Sequence, residues 1–386
     1  MKPMHFLNFL RKFRELFNDS ENHLLRIEIN SQNLLHNISQ FRQKFPNHKI
    51  AAVLKSNAYG HGLKEIGLFL DHNSDIRYFA VDSLIEAQLL RQFGARKEII
   101  ILGYVTEKSL HLLRRLKKTI LVVNSSAQAE LLSRRINFPL TIHLKIDTGL
   151  HRQGMTIAEL EPAVKKLSEN NKIRIDGLLT HLADANNPYP ADTLIQIEKW
   201  NEAVRIFEKY FPQAVLHFAA TAGTRYLDKG KSNLIRLGIG LYGFENRQDK
   251  LLDLKPILSF KAKIVNIRDI KKGEGVGYNF LFRADRDMKI AILPCGYYEG
   301  LPQILSQGGV VYFNNQSLRF LGKMSMNLAA VDISDVKEPL KLEDEVEVIS
   351  TNSFRLNSIE NYSKIAKLSP YEFLVRLAPT VKRYII

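Results

Sequence analysis

"KIAAVLKSNAYGHG", Lys49–Gly62, sets a lysine where an apolar run ends and a glycine-flanked turn begins. The run Ile50–Leu54 is short, apolar and free of turn formers, the pattern of a buried β-strand. Lys55 follows it directly, at the junction of strand and loop. A lysine alone in that place is ordinarily a solvated charge. Its neighbours along the chain decide whether this one is more.

From about residue 24 the chain alternates short apolar runs with amphipathic stretches. "LLRIEI" precedes "NSQNLLHNISQFRQKF", where Leu34, Leu35, Ile38 and Phe41 read as one helical face. "KIAAVL" leads to "GLKEIGLFL", "YFAV" to "SLIEAQLLRQF", "EIIIL" to "TEKSLHLLRRL" and "TILVV" to "SSAQAELLSRR". "LTIHLKI" leads to "IAELEPAVKKLSE" and "IRIDGLL" to "TLIQIEKWNEAVRIFEKYF", and "VLHFA" and "NLIRLGI" close the series. Strand then helix, repeated about eight times, predicts an α/β fold, a (β/α)8 TIM-type barrel. A doubly wound sheet is the alternative that periodicity leaves open. After Leu254 strand-like runs such as "PILSFKAKIVNIRDI", "DMKIAILPCG" and "DEVEVIS" follow one another with little helix between. They predict a smaller, mainly β C-terminal domain. The expected division is an extension over 1–22, a barrel over 23–254 and a β-rich domain over 255–386.

The extension, "MHFLNFLRKFRELF" at its centre, gathers Phe6, Phe9, Leu10, Phe13, Leu16 and Phe17 near one face of a helix, opposite Arg11, Lys12 and Arg14. It reads as an amphipathic helix packed on the body, with an interfacial membrane helix as the alternative. Charge interrupts it too often for a signal peptide. In a chain of 386 residues that is 45% hydrophobic, no run approaches the roughly 18 apolar residues of a membrane span. The single cysteine, Cys295, excludes an internal disulfide framework and fits a reducing, cytoplasmic setting. The net charge of +15 is spread along the chain, without zinc spacing or an RNA-binding aromatic signature. Neither a nucleic-acid partner nor a metal is expected.

A barrel carries its active site at the C-terminal ends of its strands. Lys55, "DTGLHRQG" after "HLKI", His181 after "GLLT", Thr221 after "HFAA" and Arg236 within "LIRLGIG" all fall there. A deprotonated lysine forms Schiff bases, and nearby cations or desolvation favour that form. "RLGIGLYG", Arg236–Gly243, is either a tight turn or a set of backbone amides able to cradle a phosphate. Lysine and phosphate cradle together suggest a phosphorylated aldehyde, with pyridoxal 5'-phosphate the leading candidate.

Seven motifs in register, "VLKSNAYGHG", "DTGLHRQGM", "RLGIGLYG", "GVGY", "GYYEG", "GKMSMN" and "SPYEFL", span residues 53 to 374. Together they closely resemble the alanine racemase family of barrel-type, pyridoxal-phosphate enzymes, from about residue 24 to the C-terminus. The resemblance implies that Lys55 holds the cofactor and then serves as the base on the D face of the substrate. Tyr278 of the partner subunit would be the base on the L face, so that a homodimer shares its active sites. Racemisation requires such a pair, since a proton leaves one side of Cα and returns on the other. Arg236 would face the pyridine nitrogen as an undeprotonated donor, which weakens the ring as an electron sink.

Phosphate contacts would come from Tyr59, Thr221, Tyr371 and the backbone of Gly238 and Ile239. Arg152 would bind the cofactor's phenolic oxygen and the substrate carboxylate, and Met326 would add a backbone contact to that carboxylate across the dimer. His181 would orient Arg236 or Tyr278 from behind. Lys145 matches a lysine carbamylated in some members; unmodified, it would pair with Asp147 or a neighbour.

The chain departs from the family pattern at Ser56, at Asn327 where Asp is common, at Ala220-Thr221 where Asn-Ser is common, and at Glu299 where Asp is usual. None removes a reacting group. The resemblance implies interconversion of L- and D-alanine, either to supply D-alanine for peptidoglycan precursors in a bacterial host or to degrade it. A racemase of broader scope, taking serine or larger amino acids, and a non-catalytic pyridoxal-phosphate carrier are the rivals.

Overall fold

The computed structural model describes residues 23–245 and 249–386. The extension read as a helix over 1–22 lies outside the described residues. The chain divides into a barrel unit, Gln32–Lys255, and a β unit made of the described residues up to Ser31 together with Pro256–Ile386.

The first strand-like run folds as β1 (Leu25–Ile29), followed by helix α1 (Ser31–Lys44). Eight parallel strands come next: β2 (Lys49–Val53), β3 (Ile76–Val81), β4 (Glu98–Ile101), β5 (Thr119–Val123), β6 (Leu140–Lys145), β7 (Ile173–Leu179), β8 (Val215–His217) and β9 (Leu234–Leu237). Their order runs β8-β7-β6-β5-β4-β3-β2-β9. The two ends of that order meet: Asn233 N donates to Leu216 O at 2.9 Å, Arg236 N donates to Ala219 O at 3.0 Å, and Ala220 bridges Arg236. The sheet is therefore a closed barrel.

Near-continuous apolar runs make these strands because both faces are covered, as a parallel sheet requires. All five residues of β5 are buried. Alternate residues, Ala51 and Val53, Tyr78 and Ala80, Ile120 and Val122, join one cluster with Ile100, Leu179, Val215 and Leu234. This is the period-two pattern of a filled barrel interior. Helices α2 (Leu63–Asp71), α3 (Leu84–Phe93), α4 (Leu110–Leu113), α5 (Ser126–Arg135), α6 (Ile157–Ser168) and α7 (Ala191–Glu208) follow the strands.

Two readings of the sequence need correction. "LLRIEI" was expected inside the barrel, and it is not there. β1 pairs antiparallel with β10 (Leu258–Lys263) in the β unit. Its buried Ile27 and Ile29 alternate with Arg26 and Glu28, which suits a sheet covered on one face better than a barrel strand. On α1 the buried face is Leu34, Asn37, Ile38 and Phe41, with Leu35 43% exposed. Asn37 takes the inner place because its amide donates to Leu241 O and Lys255 O and accepts from Lys255 N.

The β unit continues with β11 (Asn266–Ile270), β12 (Gly275–Val276), β13 (Phe282–Arg283), β14 (Met288–Leu293), β15 (Val310–Phe313), β16 (Gln316–Leu321), β17 (Ala329–Asp332), β18 (Glu345–Ile349) and β19 (Arg383–Ile385). Nine strands form one sheet in the order β11-β14-β17-β16-β15-β18-β10-β1-β19, and β12 and β13 form a small ribbon.

Arg236, on β9, ties the barrel's closing strands with its side chain. Its guanidinium donates to Thr180 O at 2.8 Å, to Phe218 O at 3.1 Å and to His217 O. These carbonyls lie just beyond β7 and at the end of β8. A lysine ammonium cannot spread donors in that planar fork. Arg236→Lys is expected to lower the unfolding free energy by roughly 2 kcal/mol, the cost of unpaired buried carbonyls. A denaturant titration measures it, and an unchanged midpoint contradicts the closing role.

Candidate active site

A cavity of about 440 Å³ opens at the C-terminal ends of the barrel strands. Lys55 enters from β2, Asp82 from the end of β3, Lys145 from β6, Arg152 and Gln153 from the loop after it, His181 from the end of β7, and Arg236 and Gly238 from β9. The lining holds four cationic side chains and one carboxylate, Asp82, whose Oδ1 lies 3.6 Å from Lys55 Nζ.

The segment after Lys55 is a left-handed helical turn. Ser56, Asn57, Ala58 and Tyr59 have φ of 55°, 54°, 52° and 54°. Each L-residue in that conformation costs roughly 1–2 kcal/mol, so surrounding bonds must hold it. Ser56 N donates to Glu86 Oε1 at 2.6 Å, and Asn57 Oδ1 accepts from Leu63 N at 2.8 Å. Ala58 N donates to Leu54 O, and Tyr242 Oη donates to Val53 O, each at 2.8 Å. Strain held in this way is commonly a mark of a functional site. Here it fixes where the backbone leaves Lys55, and it turns Tyr59 into the cavity. A Cβ on Gly238 would stand 2.9 Å from Tyr59 Oη, so a side chain there would push that hydroxyl aside. Thr221, buried, accepts from Gly240 N at 3.1 Å, and Ile239 is buried one residue past Gly238.

Behind Arg236 runs a buried histidine chain. Arg236 Nη1 lies 3.1 Å from His217 Nδ1, and His217 Nε2 lies 2.9 Å from His143 Nδ1. Burial is the first cause that pushes both imidazoles well below their ordinary range, His143 to about 3. Both are therefore neutral. Since the guanidinium can only donate, His217 accepts at Nδ1 and donates from Nε2, and His143 points Nε2–H toward Asp176, 4.0 Å away. His181 Nδ1 stands 3.2 Å from Arg236 Nη2, and burial and then Arg236 hold it at about 3. It too is neutral, within hydrogen-bond distance of Arg236. Burial lowers Arg236 itself only to about 10, so it keeps its charge.

Lys145 pairs with Gln153, Nζ to Oε1 at 3.1 Å, and not with Asp147. The Asp147 Oδ1 atom is taken by the backbone N–H groups of Gly149 and His151. Of the residues singled out in the sequence, Lys55, Tyr59, Lys145, Arg152, His181, Arg236 and Gly238 line one cavity, with Thr221 and Ile239 next to its wall. Tyr278, Met326 and Tyr371 belong to the β unit. Tyr278 is 67% and Met326 53% exposed, whereas burial pushes the Tyr371 hydroxyl up to about 12. Asp82, Gln153, His143 and His217 were not singled out. Asp82 had a signal, since it follows "YFAV" as Lys55 follows "IAAVL". His143 shares an inward strand face with Lys145, two residues on.

A barrel with a rim lysine and a cation-lined cavity at its mouth is suited to an anionic ligand. The family models narrow the class. Residues 29–246 match the N-terminal domain of alanine racemase, and residues 257–385 match its C-terminal domain. An alanine racemase from Fusobacterium nucleatum is 32% identical over 93% of this chain and 99% of its own length. The alanine racemase of Bartonella henselae, solved with covalently bound pyridoxal phosphate, superposes with a TM-score of 0.82 at 26% identity, covering 94% of this chain and all of that one (100%). A histidine racemase from Leuconostoc mesenteroides is as similar, with a TM-score of 0.85 at 26% identity over 95% and 99% of the two chains. The chain belongs to the alanine racemase family.

Burial, followed by Arg236 and Arg152, holds the Lys145 ammonium at about 8 against an ordinary 10.5. The unfolded chain keeps that proton to higher pH, so this group's contribution to stability rises as pH climbs from about 8 toward 10. Lys145→Met removes the buried charge. It is expected to raise the thermal midpoint at about pH 7 in carbonate-free buffer, with the advantage shrinking above about pH 8. An equal gain at both ends of that range contradicts the assignment.

Proposed function

We propose that the chain interconverts L- and D-alanine with Lys55 and Tyr278 of the partner subunit as the two proton-handling groups. The observation that carries this reading is Lys55 at the barrel mouth, fixed by a left-handed turn and facing a cavity lined by cations. The residues present suit pyridoxal 5'-phosphate: Lys55 for its carbonyl carbon, Tyr59, Thr221 and the Gly238–Ile239 backbone for its phosphate, Arg152 for its phenolic oxygen. Bound there, the cofactor draws electrons from Cα of an amino acid and so acidifies the proton that Cα carries.

The chain's own groups do the rest. Arg152 holds the carboxylate and thereby presents Cα to both bases. Lys55 would hold the cofactor and, with substrate bound, remove or return the proton on the D face. The partner's Tyr278 does the same on the L face. Arg236 is pinned by main-chain carbonyls and His217 and keeps its own proton, so it would donate to the ring nitrogen without protonating it. Lys145 carries an amine that is partly neutral near pH 8, which suits it to react with carbon dioxide. The carbamate would add an anion beside Arg152.

A shared site is supported by the β unit. Tyr278, Phe280, Leu281 and Met326 are all more than half exposed, an unusual set of large apolar side chains on one unit. A bridge between Gly277 and Lys323 brings their two segments to one edge. We assign them to a two-fold interface in which each subunit completes the other's site. No helix among the described residues is long and apolar enough to cross a membrane. With a single cysteine, the cytoplasm is the compartment we assign.

The test is reconstitution. Purified protein given pyridoxal phosphate is expected to develop the absorbance of a cofactor joined to lysine and to racemise alanine faster than serine. Lys55→Ala is expected to lose both signals, with activity falling by at least ~10³-fold, the scale of a removed reacting group. Joined cofactor without racemisation would favour the carrier, and serine matching alanine would favour the broader racemase.

A further inference from the structure

The loop Cys295–Glu299 crosses the loop Met324–Asn327 in backbone contact. A Cβ on Gly296 would come within 2.2 Å of Ser325 O and 2.5 Å of Met326 O, so the crossing leaves no room for a side chain there. Tyr298 N donates to Met326 O at 2.9 Å and Tyr297 N to Ser325 O at 3.3 Å. Glu299 sits beneath this junction, 6% exposed. Its Oε2 accepts from Gly296 N at 2.8 Å, and its Oε1 accepts from Asn327 Nδ2 at 2.8 Å. One buried carboxylate thus clamps both loops. Met326 itself accepts from Tyr298 N, and it lies between the clamped Asn327 and Ser325, which accepts from Tyr297 N.

The geometry points to Glu299 and Asn327 as a coupled positioning pair that sets the backbone of Met326. The two departures from the family pattern at these positions form a single contact. A carboxylate offers only acceptors and a primary amide offers donors. Aspartate at 327 would set acceptor against acceptor and charge against like charge at hydrogen-bond distance, which forces the loops apart or a proton onto one acid. Asparagine removes that conflict and supplies the donor that a buried carboxylate needs. In function the pair acts through Met326, and this rests on the reading that Met326 contacts the substrate carboxylate across the dimer. Neither residue is a catalytic group.

A four-protein cycle tests it: holoenzymes of wild type, Asn327→Asp, Glu299→Gln and the double exchange. In the double exchange, the amide introduced at position 299 would accept from Gly296 N and donate to the new carboxylate at position 327. The contact between the two side chains then returns with its direction reversed. Asn327 is exposed, so its variant is expected to fold. Asn327→Asp is expected to raise KM for alanine about tenfold, with kcat changed less and the cofactor absorbance intact, the order of loss for a charged buried acceptor deprived of its donor. Glu299→Gln alone is expected to do less, because Asn327 can turn its carbonyl oxygen toward the new amide. The double exchange is expected to restore both KM and the thermal midpoint toward wild type. An unchanged KM in Asn327→Asp overturns the positioning role, and additive losses of thermal midpoint in the double variant overturn the pair itself. If wild type does not racemise alanine, the reading of function falls while the thermal cycle still judges the coupling.

Discussion

The buried guanidinium of Arg236 is the constraint on which the barrel site depends. Bringing it out of water costs several kcal/mol unless its donors are met, and the barrel meets them with main-chain carbonyls of Thr180, His217 and Phe218. Those bonds reach from β9 to the ends of β7 and β8, where the strand ladder itself is thin. One side chain therefore reinforces the backbone closure of the barrel and fixes a positive charge in the cavity. Burial first, and nearby cationic charge after it, keeps His143, His181 and His217 neutral. Under the proposed function the Arg236 charge would face the cofactor ring without yielding a proton, which would keep the ring a weaker electron sink.

Lys55 answers to a second constraint. Its flexible stem is useful only if its root is fixed, and four consecutive L-residues in the left-handed region fix it. The bonds from Glu86, Leu54, Leu63 and Tyr242 offset the conformational cost. Under the proposed function Lys55 would both hold the cofactor and act as a base, and a fixed root would let one atom serve both roles from nearly the same place.

The eight barrel strands were legible because a parallel strand buried on both faces leaves an uninterrupted apolar run. The rim positions of Lys55, His181 and Arg236 followed from strand ends alone. β1 was not legible as a member of the β unit, since a run of five residues does not name its partner strand. The left-handed turn escaped because Ser56, Asn57, Ala58 and Tyr59 carry no glycine signal. His143 and His217 look like ordinary strand residues until the barrel closes around Arg236. Glu299 and Asn327 stood out singly, but their hydrogen bond spans 28 residues of sequence and exists only in the folded loops.

The account's central claim is that two bases on opposite faces of Cα come from two subunits. Deuterium uptake at Cα in heavy water, followed separately from L- and D-alanine, tests it most directly when wild type is compared with Tyr278→Phe. The account predicts that the variant loses uptake from L-alanine by ~10²-fold or more while retaining exchange from D-alanine at the lysine face. Equal loss from both enantiomers, or none from either, would contradict the assignment of Tyr278 as the second base.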